Sequence, residues 1–189
     1  MTLQLSTGVR NAILDSIETA AGASAILKIR TGAVPATCAT ADAGTVLATV
    51  SLPADWMAAA AGGVKAKSGT WEDASADASG TAAHFRIYAA DGTTCHIQGT
   101  VSFTSMPWAP STAYALGQKV SNGGNVYTNT QAGTSSASGG PQGTSAAITD
   151  GTAKWDYVSA VGDMTLDNTN LAAGQGFAVN GFTLTAPGA

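Results

Sequence analysis

Two alternating runs on either side of Asp91-Gly92 constrain the fold of this chain more than any other feature. His84-Phe85-Arg86-Ile87-Tyr88 and Cys95-His96-Ile97-Gln98, the latter continuing to Val101 and Phe103, change side with every residue, the period of a strand. Asp-Gly between such runs is a hairpin signal. A slip of one residue carries a whole strand's side chains to the other face, so the apolar residues select the register. A two-residue loop would set Phe85 and Ile87 beside His96 and Gln98. A three-residue loop, Ala90-Asp91-Gly92, gathers Phe85, Ile87, Cys95, Ile97, Val101 and Phe103 on one face. His84, Arg86, Tyr88, His96 and Gln98 then share the other. The three-residue loop is the expected one, with Gly92 in a left-handed position. It makes Cys95 a small core hydrophobe and places both histidines on the outer face beside Arg86.

Other segments repeat the strand pattern. Ala25, Leu27 and Ile29 alternate with Ile26, Lys28 and Arg30, a strand with one solvated face; Val46, Ala48, Val50 and Leu52 form the next, stopped by Pro53. Gly32 to Gly44 has no period and reads as a loop, and Glu72 to Gly80 as a small acidic one. In the last strand, Gly176 to Thr185, Phe177 and Val179 lie in one phase and Phe182 and Leu184 in the other. A bulge at Asn180-Gly181 lets all four face one core. Pro53 to Gly63 stays open: its four successive alanines favour helix, but the stretch is short. One segment has helical period. Val9, Ile13, Leu14, Ile17, Ala20 and Ala21 recur at spacings of three and four, which predicts a helix packed on a sheet through that stripe. Ser6 or Thr7 caps it, Gly22 ends it, and Asn11, Asp15, Ser16 and Glu18 form its polar face. The fold expected is mainly β: an antiparallel β-sandwich or jelly-roll-like body with one N-terminal helix and a small inserted β module.

The insertion is marked by a composition shift. From Pro107 to Ala160 the aromatics are Trp108, Tyr114, Tyr127, Trp155 and Tyr157, and the ionisable residues shrink to Lys119, Asp150, Lys154 and Asp156. Gln131 to Gly143 is a Gly/Ser loop. The body pattern resumes after Ala160, so 1–106 with 161–189 is expected to form the body and 107–160 a separate module.

Charge excludes several functions. Eight Lys+Arg against twelve Asp+Glu give a net charge of −4, no footprint for nucleic acid. No apolar stretch approaches the ~20 residues that span a bilayer, and the N-terminus lacks a signal-peptide pattern. His84, His96, Cys38 and Cys95 lack the spacing of a zinc cluster, and His84 with His96 finds no third ligand. No nucleophile has a base at a convincing spacing, and Glu72, Asp73 and Asp77 share a loop where solvation is the simpler account. The chain is therefore expected to be no enzyme, with no catalytic residue, metal or cofactor. Only 11% of residues are charged, while Ala, Thr and Gly dominate, a composition suited to an assembly in which neighbours cover the surface.

Trp108-x5-Tyr114-x2-Gly117-x2-Val120, followed by Tyr127, Pro141 and Trp155-Asp156-Tyr157, resembles the small chitin-binding carbohydrate-binding modules of families 5 and 12. In that family most of these aromatics build a miniature core, and an aromatic before the Pro loop stacks on sugar. Here that loop is Ser138-Gly139-Gly140-Pro141-Gln142, with no aromatic. The resemblance leaves Trp108, Tyr127, Trp155 and Tyr157 as the expected carbohydrate-binding residues. The body resembles a group of small bacteriophage virion proteins in Ala25 to Gly32, Val34-Pro35-Ala36, Gly44 to Ala48, Gly80-Thr81-Ala82, Phe85 to Tyr88, Asp91-Gly92, Gly99-Thr100-Val101, Asp163 to Asn168 and Gly174-Gln175.

These resemblances imply a non-enzymatic capsid decoration or cement protein. It would be assembled into the virion in the host cytoplasm, bound to the major capsid protein or another virion protein as a homo-oligomer. It would display its module outward to host-surface glycans, with no nucleic acid or membrane insertion. A tail- or fibre-associated receptor-binding protein is the alternative. Leu3 and Leu5 precede the helix cap and have no stripe to join, so they are the expected shell or subunit contact, extended along a neighbour's sheet edge.

Overall fold

The computed structural model describes residues 4–188. Ser102–Gly162 forms one compact unit and the described residues on either side of it form the other, boundaries slightly wider than the 107–160 expected from composition. In chain order the first unit holds the helix α1 (Thr7–Ala21) and strands β1 (Ile26–Arg30), β2 (Val46–Ser51), β3 (Val64–Ala66), β4 (Glu72–Asp73), β5 (Gly80–Thr81), β6 (His84–Tyr88) and β7 (Cys95–Phe103), whose end enters the second unit. The second unit holds β8 (Met106–Pro107), β9 (Ala113–Tyr114), β10 (Lys119–Asn122), β11 (Asn125–Gln131), β12 (Gly133–Thr134), β13 (Ile148–Asp150) and β14 (Ala153–Ala160). The first resumes with β15 (Met164–Leu166), β16 (Asn170–Leu171) and β17 (Phe177–Thr185). The fold is mainly β, with a sandwich-like body and one N-terminal helix.

The body is organised by one sheet in the order β2-β1-β6-β7-β15-β17-β3, with β4 also paired to β17. Phe85 on β6 meets Phe182 on β17 edge-on at 5.5 Å between ring centroids, although β7 and β15 separate them in the sheet. The sheet therefore curls around its core. Trp71 packs on Phe182 at 5.5 Å and Trp56 on Trp71 at 5.9 Å, extending an aromatic row through the interior. Leu27, Ile29, Val50, Ile87, Met164, Leu166 and Val179 fill the space around it. β17 is bulged where Asn180-Gly181 breaks the phase: Leu166 pairs with Val179 and Thr165 with Gly181. Phe177, Val179 and Phe182 are consequently buried together, with Leu184 packed against them.

The hairpin differs from the expected one in an instructive way. Ile87 lies opposite Ile97 and Phe85 opposite Gly99, so Phe85, Ile87, Ile97 and Val101 share the core face, whereas Phe103, expected with them, is half-buried outside that cluster. The loop, however, is longer than three residues: Ala89 N–H donates to the Thr94 carbonyl, and Asp91 caps it by accepting the N–H groups of Thr93 and Thr94. The phase is recovered by a bulge between Ile87 and Tyr88 that pairs Tyr88 with Cys95. Cys95 is thereby turned out of the core, and its sulfur accepts the Arg86 Nε–H at 3.2 Å. Gly99 has a strict packing reason, because a Cβ there would lie 2.8 Å from the Phe85 ring.

The outer face of β1-β6-β7 is not solvated as its polar residues suggest. The segment 32–44 crosses it as a strap, and sheet side chains hold the strap by its backbone carbonyls. Arg86 donates to the carbonyls of Cys38 at 2.6 Å and Thr40 at 3.1 Å, Gln98 to that of Pro35 at 2.6 Å, and Arg30 to those of Ala43 and Gly44. Asp42 closes the arrangement. Its carboxylate bridges Arg30 and Arg86, each at 2.5 Å, and accepts the Tyr88 hydroxyl at 2.7 Å. Burial opposes ionisation of Asp42, yet the Tyr88 hydrogen bond and the two guanidinium groups hold its carboxyl below the usual range. Burial and the bond to Asp42 push Tyr88 up to about 12. His84 is fully buried under the strap, with Nδ1 3.0 Å from the Gly32 carbonyl.

The helix is also attached by its polar side. Ser6 caps α1 and Gly22 follows it as its C-cap. Leu14 and Ala21 are buried, but Val9 and Ile13 from the expected inward stripe are exposed. The residues that dock are from the polar face: Glu18, Asp15 and Asn11 accept the backbone N–H groups of Met57, Ala60 and Gly63. The alanine run between Pro53 and Gly63 is extended rather than helical: the amides of Met57, Ala60 and Gly63 go to the helix, and those of Ala58 and Ala61 to the carbonyls of Ala66 and Val64. Lys65 seals the contact at 2.8 Å from Asp15 and 3.0 Å from Glu18.

Burial, followed by the positive charges of Arg30 and Arg86, lowers the His84 pKa below the ordinary 6.5, against the Gly32 bond that raises it. The unfolded chain then takes up this proton before the folded one does. His84 contributes full stability above about pH 6.5, and the contribution is lost as pH falls towards the folded value. We expect the melting temperature to fall on acidification through this window and the fall to be shallower in His84→Gln, as followed by circular dichroism. Phe85→Ala should cost roughly 3–5 kcal/mol in chemical denaturation, since it removes a ring from a packed aromatic row.

Candidate functional site

The second unit is small, so its few large side chains must fill its own core. Its sheet runs β13-β14-β11-β10-β8, with β12 and β9 forming a separate pair. Tyr114, Val120, Tyr127, Ala153 and Trp155 make the core, with Trp108, Ile148 and Tyr157 packed against it. Tyr114 meets Trp155 edge-on at 5.0 Å, and Tyr127 meets Tyr157 at 6.2 Å. Of the four residues expected to stack on sugar, Tyr127 and Trp155 are 0% exposed, so neither ring face is open to a ligand. Trp108 and Tyr157 are half-buried. The exposed large apolar side chains of this unit are aliphatic, with Leu116 at 70% the most open among the described residues.

The carboxylate of Asp150 organises the loops around this core. Its Oδ2 accepts the indole N–H of Trp108 at 2.8 Å and that of Trp155 at 3.2 Å; its Oδ1 accepts the Ser136 N–H at 2.9 Å and also the Ser136 hydroxyl. Asp150 is 3% exposed, and every one of these donors would otherwise be left in a poorly solvated place. Gly140 then lies over the Trp108 ring: a Cβ would come within 2.8 Å of it, and the backbone is left-handed at φ +66°. The Gly/Ser loop is thus closed onto Trp108, which removes part of that ring from ligand reach.

Beside this loop is a cleft of about 420 Å3, lined by Asn122, Gly123, Asn125, Tyr127, Gly139, Gln142 and Gly143. Asn122 Nδ2 donates to the carbonyls of Gly139 and Pro141 at 2.7 and 3.0 Å, which fixes the loop as one wall. The Tyr127 hydroxyl donates to the Gly143 carbonyl and accepts Asn125 Nδ2, both at 3.0 Å. Tyr127 therefore reaches the cleft only through its polar tip. The Tyr127 hydroxyl is spent within the wall, and the side chains of Asn122, Asn125 and Gln142 leave an amide-lined cleft with glycine walls, suited to hydrogen-bonding a polyol rather than to stacking one.

The other candidate surface is on the body. Val9 and Ile13, one helical turn apart on α1, are 47% and 41% exposed. Leu5 does not extend freely: its N–H donates to the Gly188 carbonyl at 3.0 Å, and it is half-buried against the chain's own C-terminal segment. Leu3 lies outside the described residues. Among the described residues no group of three or more His, Cys, Asp or Glu could hold a metal ion. Asp150 and the docking acids of α1 escaped sequence reasoning because each acts across tens of residues on backbone or indole N–H groups that no spacing pattern marks. Comparison with protein-family models, curated proteins and solved structures finds no match to this chain.

Asp150→Ala should leave both indoles and the Ser136 N–H without an acceptor. The expected cost to the second unit is about 2–4 kcal/mol, read by tryptophan fluorescence during denaturation. Asp150→Asn, which keeps carbonyl-type acceptance, should cost less.

Proposed function

We propose that the protein is a non-enzymatic structural component of a bacteriophage particle, a decoration or cement protein that binds and stabilises the head shell. The observation that carries this reading is the exposed N-terminal part of the helix's apolar stripe. An amphipathic helix ordinarily buries its apolar stripe. Here Leu14 and Ala21 are buried and polar side chains dock beside them, while Val9 and Ile13 of the same stripe face solvent, where a protein neighbour would bury them. The low charge of the chain, 11%, suits a surface covered in an assembly, and the resemblance of the body to small virion proteins supplies the kind of assembly. The partner would be the major capsid protein or another virion protein, with the decoration protein itself a homo-oligomer. Because it binds the intact shell, it would oppose disassembly by linkage. The second unit would contact host-surface glycans through the Asn122–Gln142 cleft. That cleft also favours a second reading, a tail- or fibre-associated receptor-binding protein.

Particles assembled without the protein should form but should release DNA at a lower temperature, and adding it back should restore retention. Val9→Ser with Ile13→Ser should leave the isolated protein within about 0.5 kcal/mol of wild type, as surface changes usually do, yet abolish restoration. Particles that are equally robust without the protein but fail to adsorb to cells would move receptor binding to first place.

A further inference from the structure

The two cysteines meet under the strap, around a single guanidinium. Arg86 Nη2 donates to the Cys38 carbonyl at 2.6 Å, and Arg86 Nε donates to the Cys95 sulfur at 3.2 Å. Both thiols are free, and both residues are half-buried, so a small reagent can reach them. They also sense each other: after burial, the contact with Cys95 is the largest influence pushing the Cys38 thiol up. Their placement is not left to flexible loops. Cys95 is turned to this face by the β6–β7 bulge, and the strap backbone around Cys38 is held by Arg86 at Cys38 and Thr40. The bulge is what defeats the alternating pattern that would have buried Cys95 in the core.

We propose that Cys38 and Cys95 form a redox pair whose oxidation covalently locks the strap 32–44 onto β7. The oxidant is a low-molecular-weight disulfide. One protein thiolate attacks a sulfur of that disulfide, forming a mixed disulfide and releasing one small thiol, which takes the proton. The second protein thiolate then attacks the protein sulfur of the mixed disulfide and releases the second small thiol with the second proton. Two protein thiols are thereby oxidised to one disulfide, and one small disulfide is reduced to two thiols. In the reduced state the strap is held by non-covalent contacts, from Arg86, Arg30, Gln98, Tyr88 and His84. In the oxidised state a link between residues 38 and 95 adds a constraint that survives loss of those hydrogen bonds. The inference rests on the body's own geometry and is independent of the proposed function.

The test is to treat the full-length folded protein with excess oxidised glutathione and analyse it without reduction. The expected product is a monomer two mass units lighter, with no reactive thiol by Ellman titration and with the peptides bearing Cys38 and Cys95 joined. Its melting temperature should rise by roughly 5–15 °C over the reduced protein, as for a disulfide closing a long loop. The rise should vanish on reduction and be absent in Cys38→Ser and in Cys95→Ser. Glutathione adducts retained on both cysteines, disulfide-linked dimers, or thiols that stay unchanged would each overturn the proposal. All of these are read on the wild-type chain, so the outcome does not depend on a variant folding.

Discussion

The grip of Arg86 on the strap is the interaction on which the body's outer face depends. A segment such as 32–44, built largely from Thr, Ala and Gly, has too little apolar surface to hold itself against a sheet. It attaches instead by its carbonyls, and the donors come from a guanidinium whose side chain is 1% exposed. Removing a cation from water is costly unless its donors are satisfied and a counter-charge is near. Here Asp42, itself on the strap, supplies the counter-charge, so the strap can only be lost together with the group that makes the buried Arg86 tolerable. Arg30 and Tyr88 share the same carboxylate, which ties β1 and β6 to the one contact.

The same solution recurs wherever the chain is poor in large side chains. The stretch before β3 is anchored by Trp56 and Met57, but its alanines offer no apolar grip, and α1 holds that part through Asn11, Asp15 and Glu18 on backbone amides, with Lys65 as the buried counter-charge. In the second unit, Asp150 and Asn122 hold the Ser/Gly loop by the Ser136 amide and the Gly139 and Pro141 carbonyls. A protein with few charges thus places several of them inside, as clamps on backbone. The helix shows the consequence for function. With Asn11, Asp15 and Glu18 docked beside the buried Leu14 and Ala21, Val9 and Ile13 are left facing out, and that is the surface the proposed shell contact uses.

Much of the strand framework is legible in the sequence, because alternation is a local signal. The Phe85–Ile87–Ile97 core face, the bulge at Asn180-Gly181 and the caps of α1 all follow from residues close in the chain. What escapes is long-range and polar. Arg86 and Asp42 are 44 residues apart, and Trp108 and Asp150 are 42 apart. Neither pair leaves a period to read. Alternation even misleads where a clamp intervenes: Cys95 is counted into the core, and Arg86 and His84 are counted into solvent. The aromatics of the second unit are legible as a set, but sequence does not separate Tyr127 and Trp155, which are fully buried, from Trp108 and Tyr157, which are half-buried.

Limited proteolysis of Arg86→Leu with a broad-specificity protease, mapped by mass spectrometry, tests the clamp most directly. The side chain remains apolar enough to stay under the strap but offers no donor to the carbonyls of Cys38 and Thr40. The expected result is that cleavage moves to residues 32–44 and becomes at least tenfold faster there, while the near-ultraviolet signal of the Trp56–Trp71–Phe182 core persists. A strap that resists cleavage as well as in the wild type would contradict the account, because backbone capture by Arg86 would then not be what holds it.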